Sequence, residues 1–297
     1  MNPHIRELLK PEILNTVNGL ELVARIITEG FMSGDNKSRS IGVGQEFSQY
    51  RSYQPGDDLR QLDWKMFGRT ERYYIKQSEI ETNVTVKFIV DTSLSMSYQE
   101  EGMSKLQYAK ITIAALAYLA RKQGDAFGLF ALNNKKLKIV LPRFEQQQFI
   151  RFLTELIGLK SEGLWPDAGL EQIYDHRGKE MIIFFTDLYD QQDDILQFIA
   201  RLKTSRNEVI VFHLLGRNEA EFNFNGSFTF EDIETGERTK VNTLLQKEEY
   251  RHRMEQWLSH SRSRMLEKQI DYHTVYLDQP VEAMLRNFLT IRKRMLR

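Results

Sequence analysis

The 297 residues carry 41 Lys plus Arg against 41 Asp plus Glu, with 41% hydrophobic and 28% charged residues, the composition of an ordinary globular chain. Balanced charge leaves no global field toward nucleic acid or an anionic membrane. The absence of cysteine excludes disulfides, thiolate metal sites and cysteine nucleophiles, so any metal chemistry must use oxygen or imidazole ligands.

At the N-terminus, His4, Arg6, Glu7 and Lys10 interrupt what would be the apolar stretch of a signal peptide. The most apolar run, 111–120, falls well short of the roughly 20 residues that cross a bilayer. The expectation is a cytoplasmic chain with no membrane span. Ile13, Leu14, Val17, Leu20, Val23, Ala24 and Ile27 recur at helical spacing and predict an amphipathic helix over 11–31, closed by Gly30. Residues 33–44 read as a polar linker. Its Gly42-Val43-Gly44 is no nucleotide loop, because no strand precedes it and Phe47 stands where the third glycine belongs. A compact block over 46–81 follows, with a turn at Pro55-Gly56 and a short strand at Tyr73-Tyr74-Ile75.

After Asn83, short β-branched or aromatic runs alternate with helical patterns, the texture of a mainly parallel sheet with crossover helices. Strands are predicted at 84–90, 126–132, 137–141, 181–186, 209–215 and 272–277. Helices are predicted at 105–122, 146–157, 169–175, 195–203, 247–268 and from Pro280 onward. Residues 217–243 break the alternation with Phe228-Thr229-Phe230 and a turn at Thr235-Gly236, the pattern of a hairpin insertion. The expected fold is α/β: a doubly wound, mainly parallel six-stranded sheet over 84–297, with residues 1–83 as an N-terminal extension.

The apolar run 84–90 leads straight into Asp91-Thr92-Ser93-Leu94-Ser95, and the run 181–185 ends in Thr186-Asp187. In an open α/β sheet, ligands bind outside the carboxyl ends of strands where strand order reverses. If the two strands are neighbours there, Asp91 and Asp187 share one crevice. Residues two apart on extended backbone point the same way, which would bring Ser93 and Ser95 to the same point as Asp91. Two carboxylates and two hydroxyls make an all-oxygen site suited to Mg²⁺. Neutral hydroxyls leave the ion under-neutralised and open to one further carboxylate from a partner.

Asp-x-Ser-x-Ser after one strand, with Thr-Asp ending a later one, resembles the metal-ion-dependent adhesion site of von Willebrand factor A domains. The upstream run Glu46-Phe47…Tyr50-Arg51…Tyr53-Gln54-Pro55-Gly56-Asp57-Asp58-Leu59-Arg60…Leu62-Asp63-Trp64 is similar to the signature of the bacterial family called domain of unknown function fifty-eight. There the block leads into an A domain, and Gly124-Asp125 before the second strand also fits. The resemblance implies the A-like fold, a divalent metal on Asp91, Ser93, Ser95 and Asp187, and a companion MoxR-type AAA+ ATPase or its client as protein partner. The A-domain pattern also implies a loop threonine before the helix at 169–175. Gly163-Leu164-Trp165-Pro166-Asp167 offers none, so Asp167 substitutes or the position is empty.

Simpler roles account for the remaining candidates. The Arg and Asp residues around Pro55-Gly56 lock a turn by ion pairs, His213 within an apolar strand is a core residue, and Arg292, Lys293, Arg294 and Arg297 cap and solvate the last helix. The function expected from this reading is a metal-dependent protein-binding adaptor and not an enzyme. The alternative, a Mg²⁺-dependent phosphohydrolase with Asp91 as nucleophile, lacks an acid two residues on, where Ser93 stands.

Overall fold

The computed structural model describes residues 10–35, 47–54, 62–78, 84–145, 147–166, 170–174, 179–189, 193–224 and 226–295. Two compact units divide the chain: one from the N-terminus to Gly34 together with Asn83 onward, the other Asp35–Thr82. The amphipathic helix that the sequence grouped with the N-terminal extension thus belongs to the larger unit.

A short turn of helix at Pro11–Leu14 precedes α1, Val17–Asp35. The predicted single helix is broken at Thr16, whose hydroxyl accepts from the Gly19 amide (3.1 Å) and donates to the Ile13 carbonyl (2.9 Å), a local cap that competes with a continuous helix. Gly30 does not end the helix, which runs to Asp35. The smaller unit pairs β1, Phe47–Ser52, antiparallel with β2, Tyr74–Ser78. Between them lies α2, Trp64–Thr70, N-capped by Asp63, which accepts from the Lys65 and Met66 amides (2.9 and 3.0 Å). The Pro55-Gly56 turn, with Asp57, Asp58 and Arg60, lies outside the described residues, as does Gly42-Val43-Gly44.

In the larger unit the chain runs through β3 (Thr85–Asp91), a small hairpin of β4 (Gln99–Glu100) and β5 (Met103–Ser104), α3 (Lys105–Gln123), β6 (Ala126–Leu132), β7 (Lys138–Arg143) and α4 (Gln148–Ile157). It continues with β8 (Glu180–Thr186), α5 (Asp194–Leu202), β9 (Asn207–Leu215), α6 (Arg217–Glu221), β10 (Ser227–Glu231), β11 (Arg238–Asn242), α7 (Thr243–Glu267), β12 (Asp271–Tyr276) and α8 (Val281–Met295). Within 170–174, where a helix over 169–175 was expected, there is a 3₁₀ turn, Glu171–Ile173. The side chains of the basic cluster from Arg292 onward lie outside the described residues.

The central sheet has the order β12-β9-β8-β3-β6-β7, with only the β7 edge antiparallel. Helices cover both faces, so its strands read as continuous apolar runs. Phe88 and Val90 of β3 enter one core with α1, α3, α4 and α8, while Ile89 enters the other with α5 and Met265 of α7. Gly128 in β6 permits the approach of β7: a Cβ there would lie 2.5 Å from the Val140 carbonyl oxygen. Gly124, at φ +76, closes α3, and the next residue, Asp125, accepts from the Val84 amide (3.0 Å), aligning the entry of β3. From β3 the chain moves outward through β6 and β7, then returns to β8 on the other flank of β3. Strand order therefore reverses between β3 and β8, and the two ends that carry Asp91 and Asp187 meet there.

Candidate metal centre

Asp91 and Asp187 are both buried at this reversal, with Thr92, Ser93, Ser95 and Thr186 buried around them. The Ser93 amide donates to Asp91 Oδ1 (2.9 Å), forming an Asx turn that leads into a 3₁₀ segment at Leu94–Ser97. The turn, and not continued extension, brings the Ser93 and Ser95 hydroxyl oxygens to 3.0 Å from each other, correcting the expected extended backbone. The Ser95 hydroxyl donates to Asp187 Oδ1 (3.3 Å), as does the Tyr189 amide (3.2 Å), and the Thr186 hydroxyl donates to Asp91 Oδ2 (3.0 Å). Immediately after Asp187 the backbone bends through Leu188 at φ 53, a conformation that costs a β-carbon residue about 1 kcal/mol.

The loop around Asp91 is tied from outside as well. Thr92 donates from both its amide and its hydroxyl to the Leu132 carbonyl (2.9 Å each), and the Leu94 amide donates to the Gly163 carbonyl (2.8 Å). The 162–166 loop is thereby fixed beside Asp91–Ser95, while Asp167 lies outside the described residues.

A cation that the sequence reading missed sits in this cluster. Lys105, the first residue of α3, places its buried ammonium 2.9 Å from Asp187 Oδ2 and 2.7 Å from Glu219 Oε1. Burial disfavours the ammonium, but Asp187 and Glu219 together outweigh it and hold the pKa above the ordinary lysine value. The detectable signal was a basic residue at a helix N-terminus after the Ser104 cap, where the free amides favour an acid. Glu219 is also held by the Gly216 amide (2.7 Å) and lies beside a cavity of about 340 Å³ lined by Tyr98, Phe222, Phe224, Phe230 and Tyr250.

The donor set suits a hard dication in chemistry: carboxylate and hydroxyl oxygens converge, with no sulfur or imidazole among them. Burial, followed by the neighbouring Asp187 carboxylate, raises the Asp91 pKa to about 7. Among the described residues, no three His, Asp or Glu side chains are grouped closely enough to hold an ion by themselves, so the hydroxyls are essential to the set.

The family model described as "Protein of unknown function DUF58" matches residues 49–264. The chain belongs to this family. Related proteins include uncharacterized proteins of Mycobacterium bovis and Mycobacterium tuberculosis, each 23% identical over 231 residues and covering 76% of this chain and 72% of the relative. Among solved structures, the conserved hypothetical protein BatB from Bacteroides thetaiotaomicron aligns with a TM-score of 0.46 at 16% identity over 71% of this chain and 100% of that one. The VWA domain of SpRpn10 aligns at 0.38 and 10% identity over 70% of this chain and 95% of that one. At these levels no residue role is carried across from either structure. Among the described residues, no helix is long and apolar enough to cross a membrane.

Proposed function

We propose that this DUF58 chain is a metal-assisted protein-binding module, in which Asp91, Ser93, Ser95 and Asp187 hold one Mg²⁺-sized ion and a partner's acidic side chain docks against it. The observation that carries the reading is the meeting of two buried strand-end carboxylates with two hydroxyls at the point where strand order reverses. A dication there would offset the mutual repulsion of Asp91 and Asp187 and present unfilled positions toward the crevice mouth. Replacing a bound water by a carboxylate in a partly desolvated crevice is a charge-assisted contact and favours acidic partners. Asp167, offered by the sequence as a further donor, is included in this proposal as an additional ligand.

By family resemblance the partner is a MoxR-type AAA+ ATPase or its client, met in the cytoplasm, with the pair acting in assembly or maturation of other proteins. The phosphohydrolase alternative asks for a proton donor two residues after Asp91. Ser93 stands there with its hydroxyl beside that of Ser95, and a serine is a poor general acid. Affinity capture of the full chain from its native cell should recover the ATPase, and both EDTA and Asp91→Ala should reduce recovery. Capture undiminished by either treatment would remove the crevice as the docking site.

A further inference from the structure

The inserted hairpin that interrupts the alternation of strand and helix helps to wall the cavity of about 340 Å³ beside Glu219. Phe222 and Phe224 follow α6, Phe230 lies in β10, Tyr250 in α7 and Tyr98 just before β4. An aromatic lining around a space of this size, with a few polar groups, is the make-up of a small-molecule pocket. Tyr98, Phe224, Phe230 and Tyr250 are only partly buried, so the space is reachable from solvent.

Specific contacts hold the rings in place. Phe222 stacks on Tyr250 with centroids 4.4 Å apart and on Phe230 at 5.5 Å, and Phe224 meets Phe230 edge-on at 5.2 Å. The Tyr250 hydroxyl donates to the Glu219 carbonyl (2.8 Å), tying α7 to α6. Phe222 takes φ 51, a left-handed conformation that glycine adopts more easily. Glycine there would relieve the backbone but remove the ring that joins Tyr250 to Phe230, and strain of this kind is held where a side chain has a further task.

One end of the cavity is acidic. Lys105 pairs with Asp187 and Glu219 together. Glu100 stands beside Glu219 across Gly216, where a Cβ would meet Glu100 Oε2 and lie 2.5 Å from Tyr98 Cε1. Among the described residues no cation pairs with Glu100, which accepts from the Tyr98 hydroxyl (3.4 Å) and the Asn218 amide (3.1 Å). Three carboxylates thus share one ammonium, and a further cation at this end is favoured. A guanidinium or primary ammonium brings several donors that need acceptors once desolvated. Here the carboxylates already accept from Lys105, Gly216, Tyr98 and Asn218, and the rest of the wall is largely aromatic. A fully alkylated ammonium carries charge without donors and suits such a wall.

We propose that this cavity binds a small quaternary ammonium compound, its cation set against the rings and toward Glu100 and Glu219. Asp91, Ser93 and Ser95 do not line the cavity, so this site stands or falls apart from the metal centre.

The test uses the full chain in EDTA, with choline as probe and dimethylbutanol, its uncharged isostere, as control. Calorimetry should show saturable choline binding, with the alcohol about tenfold weaker, the factor that a desolvated cation over aromatic rings contributes. Phe230→Leu, which keeps apolar bulk, and Glu100→Gln, at a partly exposed position, should each weaken choline much more than the alcohol. Equal binding of the two probes, no saturable choline binding, or choline binding untouched in both variants would overturn the proposal. None of these outcomes bears on Mg²⁺ binding at Asp91.

Discussion

At the first position of a long helix, beside amides that favour negative charge, an ammonium has the wrong sign. Lys105 occupies that position in α3 because Asp187 and Glu219 hold it there. Removing one partner of a buried ion pair leaves the other uncompensated, at a cost of about 3–5 kcal/mol. Lys105→Met should therefore lower unfolding stability by about that amount in EDTA, read from urea titration. Saturating Mg²⁺ should restore part of the loss by supplying charge to Asp187, and an equal loss with and without Mg²⁺ would separate Lys105 from the metal centre. Asp91 makes a second prediction at this scale. Its pKa of about 7 means that below neutrality a proton competes with the ion for the same carboxylate. Mg²⁺ affinity should rise about tenfold per pH unit up to neutrality and level off above it, where Asp91 is ionised without cost. Affinity that is flat from pH 5.5 to 8 by calorimetry would contradict a role for Asp91 as ligand.

The six strands were legible because parallel strands covered on both faces leave unbroken apolar runs, and β6, predicted at 126–132, is observed as Ala126–Leu132. Elements whose limits depend on side-chain competition were less legible: Thr16 breaks the first helix by capping, and Gly30 is carried through because helix context outweighs its weak propensity. Opposite the metal centre, β3 and β8 are joined by a buried pair, Lys87 to Glu180 at 3.0 Å. A charged pair inside a sheet sets the register of these two strands, with Thr85 opposite Glu180 and Val90 opposite Phe185, and thereby the alignment of the two acidic ends. Glu180→Gln should destabilise the fold by about 3–5 kcal/mol in urea titration, since it leaves the Lys87 ammonium buried without its carboxylate. A loss under about 1 kcal/mol would mean the pair behaves like one at the surface and does not hold register.

Over the whole molecule, the local half of the site could be read from sequence and the distant half could not. Asp91, Ser93 and Ser95 lie in one short run, and Asp187 follows from the rule that ligands gather where strand order reverses. Lys105 and Glu219 reach the same place only through the folded chain, from the start of α3 and from α6 after β9. Thr235-Gly236 marked the inserted hairpin as a turn, but nothing local marks Tyr189 and Asp232 as the pair that fastens its tip to the loop after Asp187. The resulting centre holds several carboxylates around one ammonium, an arrangement that calls for additional positive charge. Titration of the metal-free full chain with Mg²⁺ by calorimetry, alongside Asp91→Ala, tests that requirement most directly. Saturable binding by wild type that is lost in Asp91→Ala is the predicted result, and equal affinity in the two proteins, or none in either, would contradict it.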